Sequence, residues 1–261
     1  MNRERLMAAV SGKTILITGA SSGIGEQVAY ALAGFPVRLI LVGRREERLL
    51  TVKRQIERQI ARAEVFRADL RDEEDMNAFL AYLRGLPDGV DIVVSNAGHS
   101  IRRSIADTLD RFHDVTRTAA INYLAPVRLL LALIPALKQH QGQIIHISTI
   151  NTRLIPFPYW AAYQASKAAF DTWFRSAAPE LQAMGIAATS IYLPLVRTPM
   201  IEPTKEYKRM PAMSPERAAN IICKTMYTRK SKYQPWWLPF GEWASVLLRG
   251  VWERTAWKWL R

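Results

Sequence analysis

Tyr163 and Lys167 stand four residues apart in the run 159–174, Tyr-Trp-Ala-Ala-Tyr-Gln-Ala-Ser-Lys-Ala-Ala-Phe-Asp-Thr-Trp-Phe. Ala, Gln and Lys dominate its surface positions, while Trp160, Tyr163, Phe170 and Phe174 recur at helical spacing, so the run is predicted to be a helix. On a helix this spacing puts a phenol and an ammonium on one face, a turn apart. A free tyrosine has a pKa of about 10, so a phenolate at neutral pH costs roughly 4 kcal/mol. A neighbouring cation lowers that cost and makes the phenol a usable proton donor or acceptor. The same pair also occurs on helices that do no chemistry, so the surrounding chain must decide.

A second constellation handles phosphate. The β-branched run Thr14–Thr18 leads straight into Gly19-Ala-Ser-Ser-Gly23-Ile-Gly25, and a helical stretch follows through Leu32. Strand, glycine turn and helix aim backbone N–H groups and a helix N-terminus at a pyrophosphate. The glycines are spaced G-x-x-x-G-x-G, not G-x-G-x-x-G. A second strand, Val37–Val42, ends in Gly43-Arg44-Arg45. In a dinucleotide fold that point meets the adenosine ribose, where an acid favours a 2′-hydroxyl and an arginine accommodates a 2′-phosphate. No acid stands there, which points to NADP(H) over NAD(H); Arg45 also reads as a solvated helix start.

The elements between these groups alternate. Glu46–Ala61 is predicted as an amphipathic helix, Glu64–Ala68 as a third strand leading to Asp69-Leu70, and Asp72–Arg84 as a helix capped by Asp72. Asp91–Ser95 is a fourth strand, followed by the small-residue turn Asn96-Ala97-Gly98. Leu109–Leu137 carries two apolar helical patterns, with Asn122 inside the second and Pro126 just past it. Gln143–Ser148 is a fifth strand that delivers Ser148 and Thr149 at its carboxyl end, where open α/β sheets bind ligands. His146 within it reads as a packed core or interface histidine. Ala187–Leu193 is a sixth strand, and Pro194 through Met200 leads into a loop and short helix near Glu206, a candidate lid. The expected fold is α/β: a Rossmann-like, doubly wound parallel sheet flanked by helices, with a helical C-terminal extension.

These motifs, in this order, resemble the short-chain dehydrogenase/reductase family. The matching residues are Thr18 through Gly25, Asn96-Ala97-Gly98, Asn122, Ser148-Thr149, Tyr163 with Lys167, and Pro194 through Thr198. The resemblance implies that Tyr163 is the general acid for carbonyl reduction or the base for alcohol oxidation. A serine or threonine after the fifth strand would hydrogen-bond the carbonyl oxygen. Lys167 would lower the Tyr163 pKa and hold the nicotinamide ribose, and Asn122 would anchor a proton-relay water. Gly19, Ser21, Ser22, Gly23, Ile24, Gly25, Arg44, Arg45, Asp69, Leu70, Asn96, Ala97, Gly98, Pro194, Val196 and Thr198, with Tyr163 and Lys167, would form the cofactor site. Two positions depart from the pattern. Ile150 stands at the family's usual spacing from hydroxyl to tyrosine, leaving both Thr149 and Ser148 as candidates, and Leu195 replaces a common glycine.

Composition sets the frame. At 261 residues, with 49% hydrophobic and 23% charged, the chain suits one large globular α/β unit. One cysteine, Cys223, excludes an internal disulfide framework and a cysteine-based zinc site, and no metal site is expected. A net charge of +13 favours anionic partners. No signal-like segment opens the chain and no uncharged apolar run approaches bilayer length, so the expected place is the cytoplasm, in solution or on the inner face of a membrane.

Residues 1–232 are read as the catalytic unit and 233–261 as a tail. Six of eight tryptophans lie between Trp236 and Trp259, with Arg249, Arg254, Lys258 and Arg261. A helical wheel places Ala244, Leu248, Val251, Trp252 and Trp259 on one stripe and leaves Trp243, Leu247 and Trp257 outside it. The tail suits either a membrane interface or docking on its own core or a second subunit, and family members are commonly oligomers. No nucleic-acid module is present. The function expected is NADP(H)-dependent hydride transfer to or from a hydrophobic or lipid-like carbonyl or alcohol. The alternative is a catalytically silent NADP(H)-binding scaffold.

Overall fold

Central strands rich in Ile, Leu and Val, such as Thr14–Thr18 and Ile92–Ser95, need cover on both faces, and here helices supply it. The computed structural model describes residues 1–202, 204, 206–207 and 210–260, with only the backbone of Trp259 and Leu260. Seven parallel strands run in the order β3-β2-β1-β4-β5-β6-β7. They are β1 (Thr14–Thr18), β2 (Arg38–Gly43), β3 (Arg62–Arg67), β4 (Ile92–Ser95), β5 (Gln143–Thr149), β6 (Ala187–Leu193) and β7 (Lys232–Tyr233). The fold is the Rossmann-like doubly wound sheet that the alternation of elements predicts.

One face is covered by α1 (Arg3–Val10), α2 (Gly23–Leu32), α3 (Glu46–Ile56) and α8 (Pro215–Thr228), through residues such as Leu6, Val28, Leu49 and Ile222. The other is covered by α4 (Glu73–Arg84), α6 (Ala125–Gln139) and α7 (Ala161–Ala183), through Phe79, Leu130, Phe170 and Phe174. Truncating a phenylalanine buried like these to alanine costs roughly 3–5 kcal/mol. Strand order reverses between β1 and β4, so their carboxyl ends open a crevice at the switch point.

Several boundaries differ from the sequence reading. α7 starts at Ala161, not Tyr159, because Tyr159 takes φ +72°, which no helical residue can hold, and the helix runs on to Ala183. α3 ends at Ile56 and β3 starts at Arg62, two residues early. The two apolar patterns of 109–137 are one run: α5 (Phe112–Ala119), a π turn at Ala120–Leu124, and α6. Pro126, four residues past Asn122, lies in the first turn of α6. It has no N–H for the carbonyl of Asn122 four residues back, and the chain accommodates this with the wider turn. The run 112–139 is long and apolar enough to cross a bilayer by length and composition, yet Leu129, Leu130, Leu133 and Leu137 face the sheet.

Asp72 caps α4 by accepting from the Asp75 N–H, as expected, and Cys223 is buried in α8. The sheet's last strand, β7, straddles the expected boundary between 232 and 233. Beyond it comes α9 (Leu238–Thr255).

Candidate active site

Three carboxyl-end turns meet in the crevice. Gly19 and Gly23 hold φ of +69° and +61°, and a Cβ on Gly25 would lie 2.5 Å from the Gly19 carbonyl oxygen. Only glycine lets the turn approach α2 so closely. The Thr18 hydroxyl accepts the N–H groups of both Asn96 and Ala97 at 2.9 Å. The Asn96 amide donates to the carbonyls of Thr18 and Gly19 at 2.9 and 3.4 Å. Its side chain therefore holds the two turns together, and what it offers a ligand is backbone. A Cβ on Gly98 would stand 3.0 Å from Asn122 Oδ1 and 3.5 Å from Lys167 Nζ, so this turn also seats the catalytic face.

The π turn aims the Asn122 side chain inward. Its Nδ2 donates to the His99 carbonyl at 2.8 Å and to Ser166 Oγ at 2.9 Å, while its Oδ1 accepts the His99 N–H at 2.9 Å. The amide fixes the distance between the His99 loop and α7.

Thr149 and Ser148, adjacent on a strand, point to opposite faces. The Thr149 hydroxyl meets the Tyr163 phenol in a hydrogen bond. Ser148 is buried and donates to Asp171 Oδ1 at 3.1 Å, away from the crevice. The structure brings Thr149 to Tyr163, holds Lys167 one turn farther along α7 on the Ile147 carbonyl, and turns Ser148 to Asp171.

The charge balance corrects the sequence reading. Burial pushes the Tyr163 phenol up to about 12, with the Thr149 hydrogen bond opposing the rise, and Lys167 is not among the groups that shift it. Lys167 is itself pushed down to about 8 by burial, partly offset by the Asp171 carboxylate. Its Nζ donates to the Ile147 carbonyl at 3.1 Å. Desolvation outweighs attraction because both groups lie where water is scarce. Tyr163 therefore stays a neutral phenol near pH 7.

Asp171 is a participant that the sequence reading missed. It is buried, four residues beyond Lys167, and faces Ser148, Tyr192 Oη at 3.4 Å and Arg175 at 3.5 Å. The i,i+4 spacing from Lys167 was the available signal. His146 is fully buried, its ring edge-on to Phe170 at 4.4 Å, and burial holds it well below its usual pKa: a packed histidine, as expected.

The phosphate end is basic. Arg45 donates to Ser22 Oγ at 2.6 Å and Ser21 Oγ at 3.3 Å, across the glycine turn. Arg44 is largely exposed beside Asp69 at 3.9 Å, and Asp69 is held more tightly by Arg71 at 2.6 Å, which keeps its carboxyl below the usual range. Asp69 thus orders this corner, next to Leu70, which is buried. Ser22 precedes α2 without capping it by its side chain, so the first N–H groups of the helix point at the crevice, beside Ile24. From the far side the segment after β6 closes in: Thr198 lies 3.0 Å from a Cβ on Gly23, and Val196 bridges to Met213, downstream of Pro194. A glycine cradle, open helix N–H groups and paired arginines fit a phosphorylated dinucleotide.

A separate cleft of about 330 Å³, just before the start of α7, is lined by Arg102, Phe157, Pro158, Tyr159, Trp160, Trp252 and Ala256. The Arg102 guanidinium sits 4.4 Å over the Tyr159 ring and pairs with Glu206 at 3.0 Å. Tyr207, one residue on, packs near Trp160 with its ring tilted, centres 5.9 Å apart. The expected short helix near Glu206 falls partly outside the described residues.

Residues 13–209 match the family described as short chain dehydrogenase. The chain belongs to this family. It is 45% identical over 224 residues to a fatty acyl-CoA reductase of Acinetobacter baylyi, covering 85% of this chain and 76% of that one. A fatty acyl-CoA reductase of Mycobacterium tuberculosis is 37% identical over 227 residues, 87% of this chain and 77% of that one. A short-chain dehydrogenase from Sphingobium yanoikuyae, solved in complex with NADPH, superposes with a TM-score of 0.77 at 25% identity, covering 84% of this chain and 86% of that one. The short-chain dehydrogenase described here is thus an oxidoreductase by family, with its matched region running from just before β1 to past β6.

Proposed function

We propose that this short-chain dehydrogenase is an NADPH-dependent reductase of long-chain acyl carbonyls, with a fatty acyl-CoA thioester as substrate. The observation that carries the reading is the Thr149–Tyr163 hydrogen bond, one helical turn before buried Lys167; the aromatic and apolar cleft lined by Tyr159 and Trp160 suits an acyl chain. Thr149 is the hydroxyl that orients the substrate carbonyl; Ser148, turned to Asp171, is a support. A phenol with a pKa near 12 is a proton donor at physiological pH, which favours the reducing direction. As hydride reaches the carbonyl carbon, negative charge grows on oxygen, and the Thr149 and Tyr163 hydroxyls stabilise it there. Tyr163 then gives up its proton. Lys167 holds positive charge next to the phenolate that this leaves and donates to the nicotinamide ribose. Asn122, whose carbonyl lost an α-type partner to Pro126, anchors a relay water through that carbonyl.

The bound nicotinamide supplies the hydride. Gly19 through Gly25, the Asn96–Gly98 turn, Leu70 and the Pro194–Thr198 segment are the residues that would hold it. Arg44 and Arg45 would take the 2′-phosphate. One acyl thioester, one NADPH and one proton give an aldehyde, a free thiol and NADP⁺. The fatty acyl-CoA reductases among the relatives support this substrate class, and the charge of +13 suits a polyanionic coenzyme. The protein would act in the cytoplasm at the inner face of a membrane. A homo-oligomer would form through the small-residue outer face of α7, where Ala165, Ala168, Ala169 and Thr172 line a shallow groove with Tyr123.

The test is NADPH oxidation across acyl-CoA chain lengths, with free fatty aldehydes and short ketones in parallel. Turnover that rises with chain length is the expected result. Turnover confined to short, polar ketones sinks the acyl reading while leaving the reductase intact.

A further inference from the structure

α9 is inside out. Beyond Leu238, which is buried at its start, its side against the protein is held largely by polar contacts: Glu242 accepts two hydrogen bonds from Arg153 at 2.6 and 3.0 Å, and Ser245 Oγ accepts the Ile155 N–H at 3.1 Å. Farther along, Trp252 Nε1 donates to the Pro156 carbonyl at 3.1 Å. The opposite side is apolar: Phe240, Trp243, Leu247 and Val251 follow one another at helical spacing and are 70%, 73%, 74% and 51% exposed. Trp236, just before the helix, is also exposed. A helix on a water-soluble surface has the reverse arrangement. The apolar stripe expected from the wheel is not the packed face. Leu248 and Val251 are open, and of that stripe Trp252 alone turns inward among the described side chains; Trp259 and Arg261 lie outside them.

We infer that the outer face of α9 docks the protein on the surface of an anionic lipid bilayer, with the Phe157–Trp160 cleft opening at the boundary between headgroups and acyl chains. The inference rests on the proposed acyl substrate for its second half; the docking itself stands on α9. Tryptophan and phenylalanine beside aliphatic residues suit the interfacial layer, and the helix is too charged to span it. The charges complement an anionic surface. Glu242 is turned inward to Arg153, and Glu253 is paired with Arg249 at 2.9 Å; among the described residues Arg254 donates to the Gly250 carbonyl and Lys258 lies over the Trp257 ring, neither of them paired with an acid. The whole chain adds its +13. The same helix walls the cleft: Trp252 packs edge-on to Phe157 at 6.1 Å, and Ala256 lines the mouth opposite Arg102. An acyl chain leaving the bilayer would meet these aromatic rings first, with its polar end toward Tyr163.

The experiment uses the full chain, sedimented with phosphatidylcholine vesicles that do or do not contain phosphatidylglycerol. Wild type is expected to bind the anionic vesicles more tightly, to weaken with salt, and to lose tryptophan fluorescence to brominated lipid. The double variant Trp243→Glu, Leu247→Glu should bind roughly a hundredfold more weakly, yet reduce a short, water-soluble acyl thioester at the wild-type rate. Wild type that stays in the supernatant, or a variant that binds equally well, overturns the inference. So does a variant with an altered subunit number in light scattering, which assigns the face to a second copy. If no acyl thioester is reduced but vesicles are bound, the substrate reading fails and the docking stands.

Discussion

At Tyr163 and Lys167 burial outweighs mutual attraction: the phenol is pushed up to about 12 and the ammonium down to about 8. Spacing alone tells which two groups are neighbours. It cannot tell how much water they keep, and desolvation sets both signs. A linkage follows for Lys167. In the unfolded chain it titrates near 10.5 and in the folded protein near 8, so between these values the unfolded state holds more protons and stability rises with pH. Lys167→Met should remove that rise, a difference of about 3 kcal/mol across the window, read from denaturant midpoints at successive pH values. The two hydroxyls make a second prediction. Thr149→Ala should lower kcat by roughly a hundred- to a thousandfold. Ser148→Ala should keep most activity and lose about 1–2 kcal/mol of stability with its bond to Asp171. Steady-state kinetics and thermal melts separate the outcomes; the reverse pattern would make Ser148 the reacting hydroxyl. Sequence left this choice open because adjacent strand residues differ only by face, and the face becomes visible once β5 is placed between β4 and β6.

At the scale of elements, the motifs were legible wherever geometry forces a residue type. The glycine turn is one such place, since a Cβ at Gly25 collides with backbone. Boundaries were less legible where one residue breaks the pattern. Tyr159 carries a helix-friendly neighbourhood but a left-handed backbone, fixed by the Arg103 N–H on its carbonyl at 2.8 Å and by Arg102 on its ring. Such strain at a cleft wall is a tertiary effect. The phosphate corner joins three elements: the turn before α2, the end of β2 and the end of β3. Replacing Arg44 and Arg45 with alanine should weaken NADPH binding by roughly ten- to a hundredfold while leaving NADH nearly unchanged. Fluorescence titration with both dinucleotides checks this. An equal loss for both would show that the pair serves the fold and not the 2′-phosphate.

For the molecule as a whole, alternating strand and helix patterns were enough to give a doubly wound parallel sheet with six of its strands, while the two-residue β7 and the strand order appear only in the structure. The N-terminal helix α1 escaped notice: only Leu6 and Val10 are buried, against α8, far along the chain. α9 was legible as a helical tail, but its packed side was not. A wheel assumes that the apolar side packs inward, and here polar contacts hold the helix while its apolar side faces out. The central claim is that all this architecture serves one proton donor beside one hydride acceptor carbon. Its most direct test is Tyr163→Phe, assayed for acyl-CoA-dependent NADPH oxidation and, in the same preparation, for NADPH binding by fluorescence. The account predicts turnover lowered by roughly a thousandfold or more with the dissociation constant nearly unchanged. A variant that binds NADPH normally and still reduces the substrate at the wild-type rate would contradict it.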